Sequence, residues 1–230
     1  GEHAKLVTAL SVRREEAASA RPTGRAASAR GAGRAPADER FELTVRIAEV
    51  EEGALKDVAR AFASWREALR QNPSDERPRV AIDRLAPVFG RWKEVAQAWE
   101  DGFKNAPAGN PSLRAELGRR VAEVYDERLR DTAKATEAWK AALEVDPDDA
   151  ALAAPAAAAL ARLYEQAGEW TELAGILRRQ AAWAEDAPAR RPILLRVAQV
   201  LEESLGKVDD AIATHREILA GEPDCRDALD

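Results

Sequence analysis

Arg120-Val121-Ala122-Glu123-Val124 is the middle copy of a phrase used three times in this chain, with Arg46-Ile47-Ala48-Glu49-Val50 before it and Arg196-Val197-Ala198-Gln199-Val200 after it. The copies lie 74 and 76 residues apart. A near-constant period marks a repeat architecture, in which one supersecondary unit is stacked on the next. Each phrase is followed by a second block, Trp65-Arg66-Glu67-Ala68-Leu69, Trp139-Lys140-Ala141-Ala142-Leu143 and His215-Arg216-Glu217-Ile218-Leu219, and then by Pro73, Pro147 and Pro223. An array of this kind makes an extended surface rather than a pocket, and such surfaces commonly hold other proteins.

The phase of the repeat divides the chain. Gly1-Glu2-His3 with Leu6-Val7-Thr8-Ala9-Leu10 aligns with Gly168-Glu169-Trp170 and Leu173-Ala174-Gly175-Ile176-Leu177, so residues 1–16 read as a partial repeat, the second helix of a hairpin. Residues 17–36 are an insert, and residues 37–230 are the array itself. At the far end Pro223-Asp224-Cys225-Arg226-Asp227-Ala228 matches Pro147-Asp148-Asp149-Ala150-Ala151, the start of a further helix. On this phase the chain is expected to be a fragment, truncated within its C-terminal repeat.

Composition narrows the class. Charged residues make up 33% and aromatic residues only 5%, a balance suited to amphipathic helices with solvated outer faces, and an all-α fold follows. A formal net charge of −6 argues against a general nucleic-acid partner, because phosphate neutralisation needs a dense field of Lys and Arg. The longest apolar run, Ala150 to Leu163, is mostly Ala and is broken by Pro155 and Arg162, short of the roughly 18 to 20 residues that span a bilayer. No membrane span is expected, and the cytoplasm is compatible with the composition. One cysteine, Cys225, excludes an internal disulfide and a cysteine-based metal site.

Each period holds two helical hairpins. In the middle copy Leu117, Val121, Val124 and Leu129 recur at helical spacing, Asp131 opens a turn, and Ala135, Trp139, Ala142 and Leu143 mark the facing helix. The second hairpin runs from about Asp149 through Leu160, Leu163 and Tyr164, turns at Gly168, and returns through Trp170, Leu173, Ile176 and Leu177. Gly168, like Gly90 in the preceding unit, suits a helix end, where glycine takes the left-handed conformation without penalty.

The stretch from Leu129-Arg130-Asp131-Thr132-Ala133-Lys134-Ala135 through Trp139-Lys140-Ala141-Ala142-Leu143 to Pro147-Asp148-Asp149 resembles the second half of a tetratricopeptide repeat. Ala135, Trp139, Ala142 and Pro147 fill that family's small, aromatic, Ala and Pro positions, and Ala122 and Tyr125 supply the first helix's small and aromatic residues. The chain departs from the pattern in three places: the turn before Asp131 is a residue longer, Asp83 stands where a small residue is usual, and His215 replaces the aromatic. The resemblance covers nearly the whole chain except the insert. It implies a right-handed α-solenoid of about eleven helices with a concave groove.

The insert from Ala17 to Pro36 contains Arg21, Arg25, Arg30 and Arg34 among Ala, Ser and Gly, with no acidic and no large apolar residue. It cannot bury enough surface to offset its ordering entropy, and a disordered tether is expected. An alternative is a dock for an acidic partner or a membrane surface.

Among the tryptophans, Trp65 and Trp139 repeat at a packing position, and Trp92 and Trp170 follow the turn glycines; all four are expected in the core or over hairpin junctions. Trp99 and Trp183 fall outside these pairs and are the better candidates for partner contact. The resemblance places a ladder on the groove side of the first helices: Arg46, Arg120 and Arg196, then Glu49, Glu123 and Gln199, then Glu52, Asp126 and Glu202. Pairing of each Arg with the acid three residues on is the plain expectation; arginines facing an empty groove would instead accept carboxylates or phosphates. The family's clamp for a C-terminal carboxylate needs Lys and Asn at set places, and no matching set of Asn occurs.

Nothing in the sequence points to catalysis. His3 and His215 stand where sibling repeats carry Trp and are expected to be half-buried spacers, Cys225 reads as an exposed thiol, and no Gly-rich phosphate loop precedes a Lys-Ser or Lys-Thr pair. No cofactor and no metal are expected. The leading expectation is a non-enzymatic scaffold that recruits a protein or peptide partner through its concave face. An architectural spacer within a larger protein, or a regulatory module of an attached enzyme, are the alternatives.

Overall fold

A computed structural model describes residues 1–19 and 36–221. The expected tether and the expected exposed Cys225 therefore lie outside the described residues, apart from the ends of the insert, which belong to helices. Among the described residues there are eleven α-helices and two short π-helical segments, and no strand. The described residues form an all-α succession of helical hairpins, and the chain divides into two compact units, Gly1–Leu117 and Gly118–Asp230.

The first unit contains α1 (Glu2–Ser19), α2 (Pro36–Gly53), α3 (Val58–Gln71), α4 (Glu76–Phe89), α5 (Trp92–Asn105) and the first turns of α6 (Pro111–Glu123). Helix α2 packs on α1 and α3, and α3 in turn carries α4 and α5. The pattern that makes α3 a helix also decides its orientation. Ala61, Phe62, Trp65, Ala68 and Leu69 recur every three or four residues and are all buried. Asp57 caps its N-terminus by accepting from Arg60 N at 3.0 Å, and Asp75 caps α4 by accepting from Arg77 N at 2.9 Å. Gly90 ends α4 in the left-handed conformation, φ 68°.

The second unit completes α6 and continues through a π-helical turn (Val124–Leu129), α7 (Thr132–Leu143), α8 (Ala150–Ala167), α9 (Trp170–Ala182), α10 (Ala187–Gln199), a second π-helical turn (Val200–Ser204) and α11 (Val208–Gly221). Helix α7 packs on α8, α8 on α9, α9 on α10 and α10 on α11. Asp131 and Asp149 cap α7 and α8, and Gly168 ends α8 where the turn was expected. The helix runs through Pro155, which does not break it. Ala135, Trp139 and Ala142, the residues that carried the family resemblance, are buried together with Ala122 and Tyr125.

The long turn before Asp131 has a definite form. The amide of Asp131 bonds to Tyr125 O at 3.0 Å, six residues back, and the extra residue is absorbed by the π-helical turn. The same wide closure recurs in the other copies, with Asp57 N to Glu51 O at 2.9 Å and Lys207 N to Leu201 O at 2.8 Å. In each, the residue just before the closing amide has positive φ: Lys56 at 53°, Arg130 at 54° and Gly206 at 64°.

Two expectations are corrected. Trp99 is not a contact residue: it is 2% exposed and among the most deeply buried side chains. His3 is exposed rather than half-buried, whereas His215 is half-buried as expected. Trp183 is half-buried, with the Arg179 guanidinium 5.6 Å from its ring centre.

Candidate functional site

The first unit holds an open cleft of about 530 Å³ between α2 and α4. From α2 it is lined by Glu49, Glu52 and Gly53, from α3 by Trp65, and from α4 by Glu76, Arg77, Val80, Ala81 and Arg84. Its geometry follows from helical periodicity. Trp65 and Ala81 face inward because they belong to the buried stripes of α3 and α4, while Val80, one residue from Ala81, is turned outward and remains 51% exposed.

Ion pairs fix the walls. Glu52 is the central acceptor: the indole Nε1 of Trp65 donates to it at 3.0 Å, and Arg84 pairs with its other oxygen. One carboxylate thus ties α2, α3 and α4 together. Arg77 is gripped twice, by Glu42 at 2.8 Å and by Asp75 at 2.9 Å, and its guanidinium lies 5.2 Å from the Phe41 ring centre. The Arg77 hydrogen bond is the main reason the Asp75 carboxyl lies below its ordinary range, and the bonds to Asp75 and then Glu42 raise Arg77 itself. Glu76 stands exposed on the first turn of α4 and makes no ion pair with any described residue.

Of the sequence-derived ladder, Glu49 and Glu52 border this cleft, and Arg46 pairs with Glu49 at 3.1 Å in the i, i+3 manner. The later copies differ. Glu123 pairs with Arg119, the residue before Arg120, and Asp126 pairs with Arg162 of α8. Arg196 reaches Glu165 of α8 at 2.7 Å, while Gln199 donates to Glu203 at 3.1 Å. Arg120 is half-buried and also engaged.

The ladder overlooked the residues of α4. It sampled one first helix per 75-residue period, although each period contains two hairpins and therefore two first helices. Applied to every hairpin, with Asp83 at the small position, the same reading would have included Ala81 and Arg84 but not Arg77 or Val80, which lie a turn earlier on α4. No pattern in the sequence distinguishes Val80 from the buried Ala81 and Ile82 beside it until the phase of α4 is known.

Among the described residues no group of three or more His, Cys, Asp or Glu side chains is arranged to hold a metal ion, and no helix is long and apolar enough to cross a membrane. No protein-family model and no curated protein matches the chain. Solved structures similar to it include YrrB, a TPR protein with an unusual peptide-binding site, at 14% identity and a TM-score of 0.42, covering 81% of this chain and 89% of that one. BtubC from P. vanneervenii is 18% identical at a TM-score of 0.42, over 98% and 94% of the two chains. MamA is 14% identical at 0.41, over 78% and 92%. At this distance the likeness says nothing of what this chain binds.

Proposed function

We propose that this chain is a non-catalytic protein-interaction scaffold that takes a segment of a partner protein into the cleft between α2 and α4. The observation that carries this reading is the cleft itself, about 530 Å³, with an apolar floor of Trp65 and Ala81, a half-exposed Val80 and a charged rim. An apolar side chain of the partner would bury against Val80 and Ala81, while the rim sets its orientation. Within the first unit Arg46 and Glu49, and within the second unit, taken by itself, Arg120, Glu123, Asp126, Arg196 and Gln199, belong to the same proposal as further partner-facing positions.

A photoreactive amino acid placed at position 80, with the same group at the exposed Gln97 of α5 as a control, tests this reading in extracts of the source cells. Expected are adducts on one recurrent partner segment from position 80 and none from position 97. Equal labelling at both positions would sink it.

One set of observations favours the architectural alternative. Arg46, Arg196, Glu123 and Asp126 are already neutralised by partners within the chain, as expected of a surface with no charged ligand to meet. Under that reading neither position labels.

A further inference from the structure

Resting on the cleft as a partner site, we propose that its occupant is a cationic segment, one that carries Lys or Arg within about a helical turn of an apolar side chain. Around the cleft every arginine is already bound by a carboxylate: Arg46 by Glu49, Arg84 by Glu52, and Arg77 by both Glu42 and Asp75. An acidic segment would have to displace one of these carboxylates before gaining a cation, so each new bond would cost an existing one. A cationic segment meets the opposite situation. Among the described residues Glu76 has no ion pair, and Arg46 engages one oxygen of Glu49, so new charge-assisted bonds form without breaking those present.

The balance of charge points the same way. The cleft lining carries Glu49, Glu52 and Glu76 against Arg77 and Arg84. The surplus is anionic, and the long-range field favours cations before contact is made. Exposed ion pairs add little affinity by themselves. The apolar anchor on Val80 and Ala81 therefore holds the segment, and the rim selects its sign. An arginine row able to accept carboxylates or phosphates would recruit the contrary class of partner.

The test is a selection from a library of displayed random peptides with the whole chain as bait, followed by fluorescence anisotropy of synthesised winners. Binding is measured on the wild type, on the double variant Glu49→Gln/Glu76→Gln and on Val80→Ser, with helicity of each checked by circular dichroism. All three positions are exposed, so the variants are expected to fold. Expected are winners with net positive charge and an aliphatic or aromatic residue, whose affinity falls at least about tenfold in both variants. Winners that are acidic or neutral and lose binding in Val80→Ser would overturn the cationic assignment and leave the cleft as the site. Winners indifferent to both variants, or no winners above empty resin, would overturn the cleft as well.

Discussion

At the scale of single residues, the repeat lets one position be compared with its siblings. Glu52, Trp65 and Arg84 form a three-helix tie, and their equivalents in the second unit are Asp126, Trp139 and Arg162. Asp126 keeps the arginine but is one methylene shorter, and the buried Nε1 of Trp139 has no acceptor among the described residues. In the third copy Glu202 is exposed, and the buried Nδ1 of His215 is likewise without a partner among the described residues. An orphaned buried donor costs more than a made bond gains. Asp126→Glu is therefore expected to raise stability in urea by about 1 kcal/mol, and the gain should vanish in a Trp139→Phe background. No gain in the first background would show that the longer carboxylate does not reach. Trp139→Ala is expected to cost on the order of 3–5 kcal/mol, since this ring is core; a cost near zero would place it on the surface.

At the scale of elements, the wide closures before α3, α7 and α11 demand a left-handed residue, and only the third copy supplies glycine. Arg130 occupies that conformation as the C-terminal cap of the π-helical turn, its backbone N–H donating to Tyr125 O and its side chain exposed. Left-handed backbone strains a residue with a Cβ, and glycine relieves the strain while giving back some unfolded-state entropy. Arg130→Gly is expected to stabilise the fold by about 0.5–1 kcal/mol, and Gly206→Ala to destabilise it by a similar amount. Thermal melts of both variants decide it; a loss with Arg130→Gly would contradict the strain account. The sequence showed that the turn before Asp131 was one residue long in excess. It could not show that the residue enters a π-helical turn, because that choice depends on which amide closes the loop.

At the scale of the whole molecule, acid should weaken the fold through particular carboxylates. Asp75 lies below its ordinary range chiefly because Arg77 donates to it. Burial pushes Glu67 up, but hydrogen bonds from Arg70 and Gln71 and the charges of Arg70 and Arg40 outweigh it, leaving Glu67 lowered. A carboxyl whose folded value is depressed binds fewer protons folded than unfolded. Its stabilisation is present above the unfolded value, about 4, and is lost as pH falls through the folded one. The urea midpoint should therefore drop as pH is lowered below about 4, and the drop should be shallower in Asp75→Asn/Glu67→Gln. An unchanged slope would assign the acid sensitivity to other groups.

The sequence by itself determined that the chain is helical and, in the middle period, where the helices turn. Those follow from local chemistry: the 3.6-residue spacing of Ala, Leu and Trp, the aspartates at positions 131 and 149, and the glycines at 90 and 168, all read within one turn of chain. It also determined that Trp65 and Trp139 are core, because repetition at a packing position is a statement about neighbours. What only the tertiary structure decided is the wiring between helices. Arg46 found Glu49 as spacing alone suggests, but Arg196 found Glu165, Asp126 found Arg162 and Glu52 found Trp65 and Arg84. Long charged side chains reach across to whichever helix lies beside them, and which helix that is depends on packing distances that no one-dimensional pattern encodes. The cleft of the first unit exists for the same reason: Val80 and Glu76 become a rim only once α4 stands across from α2.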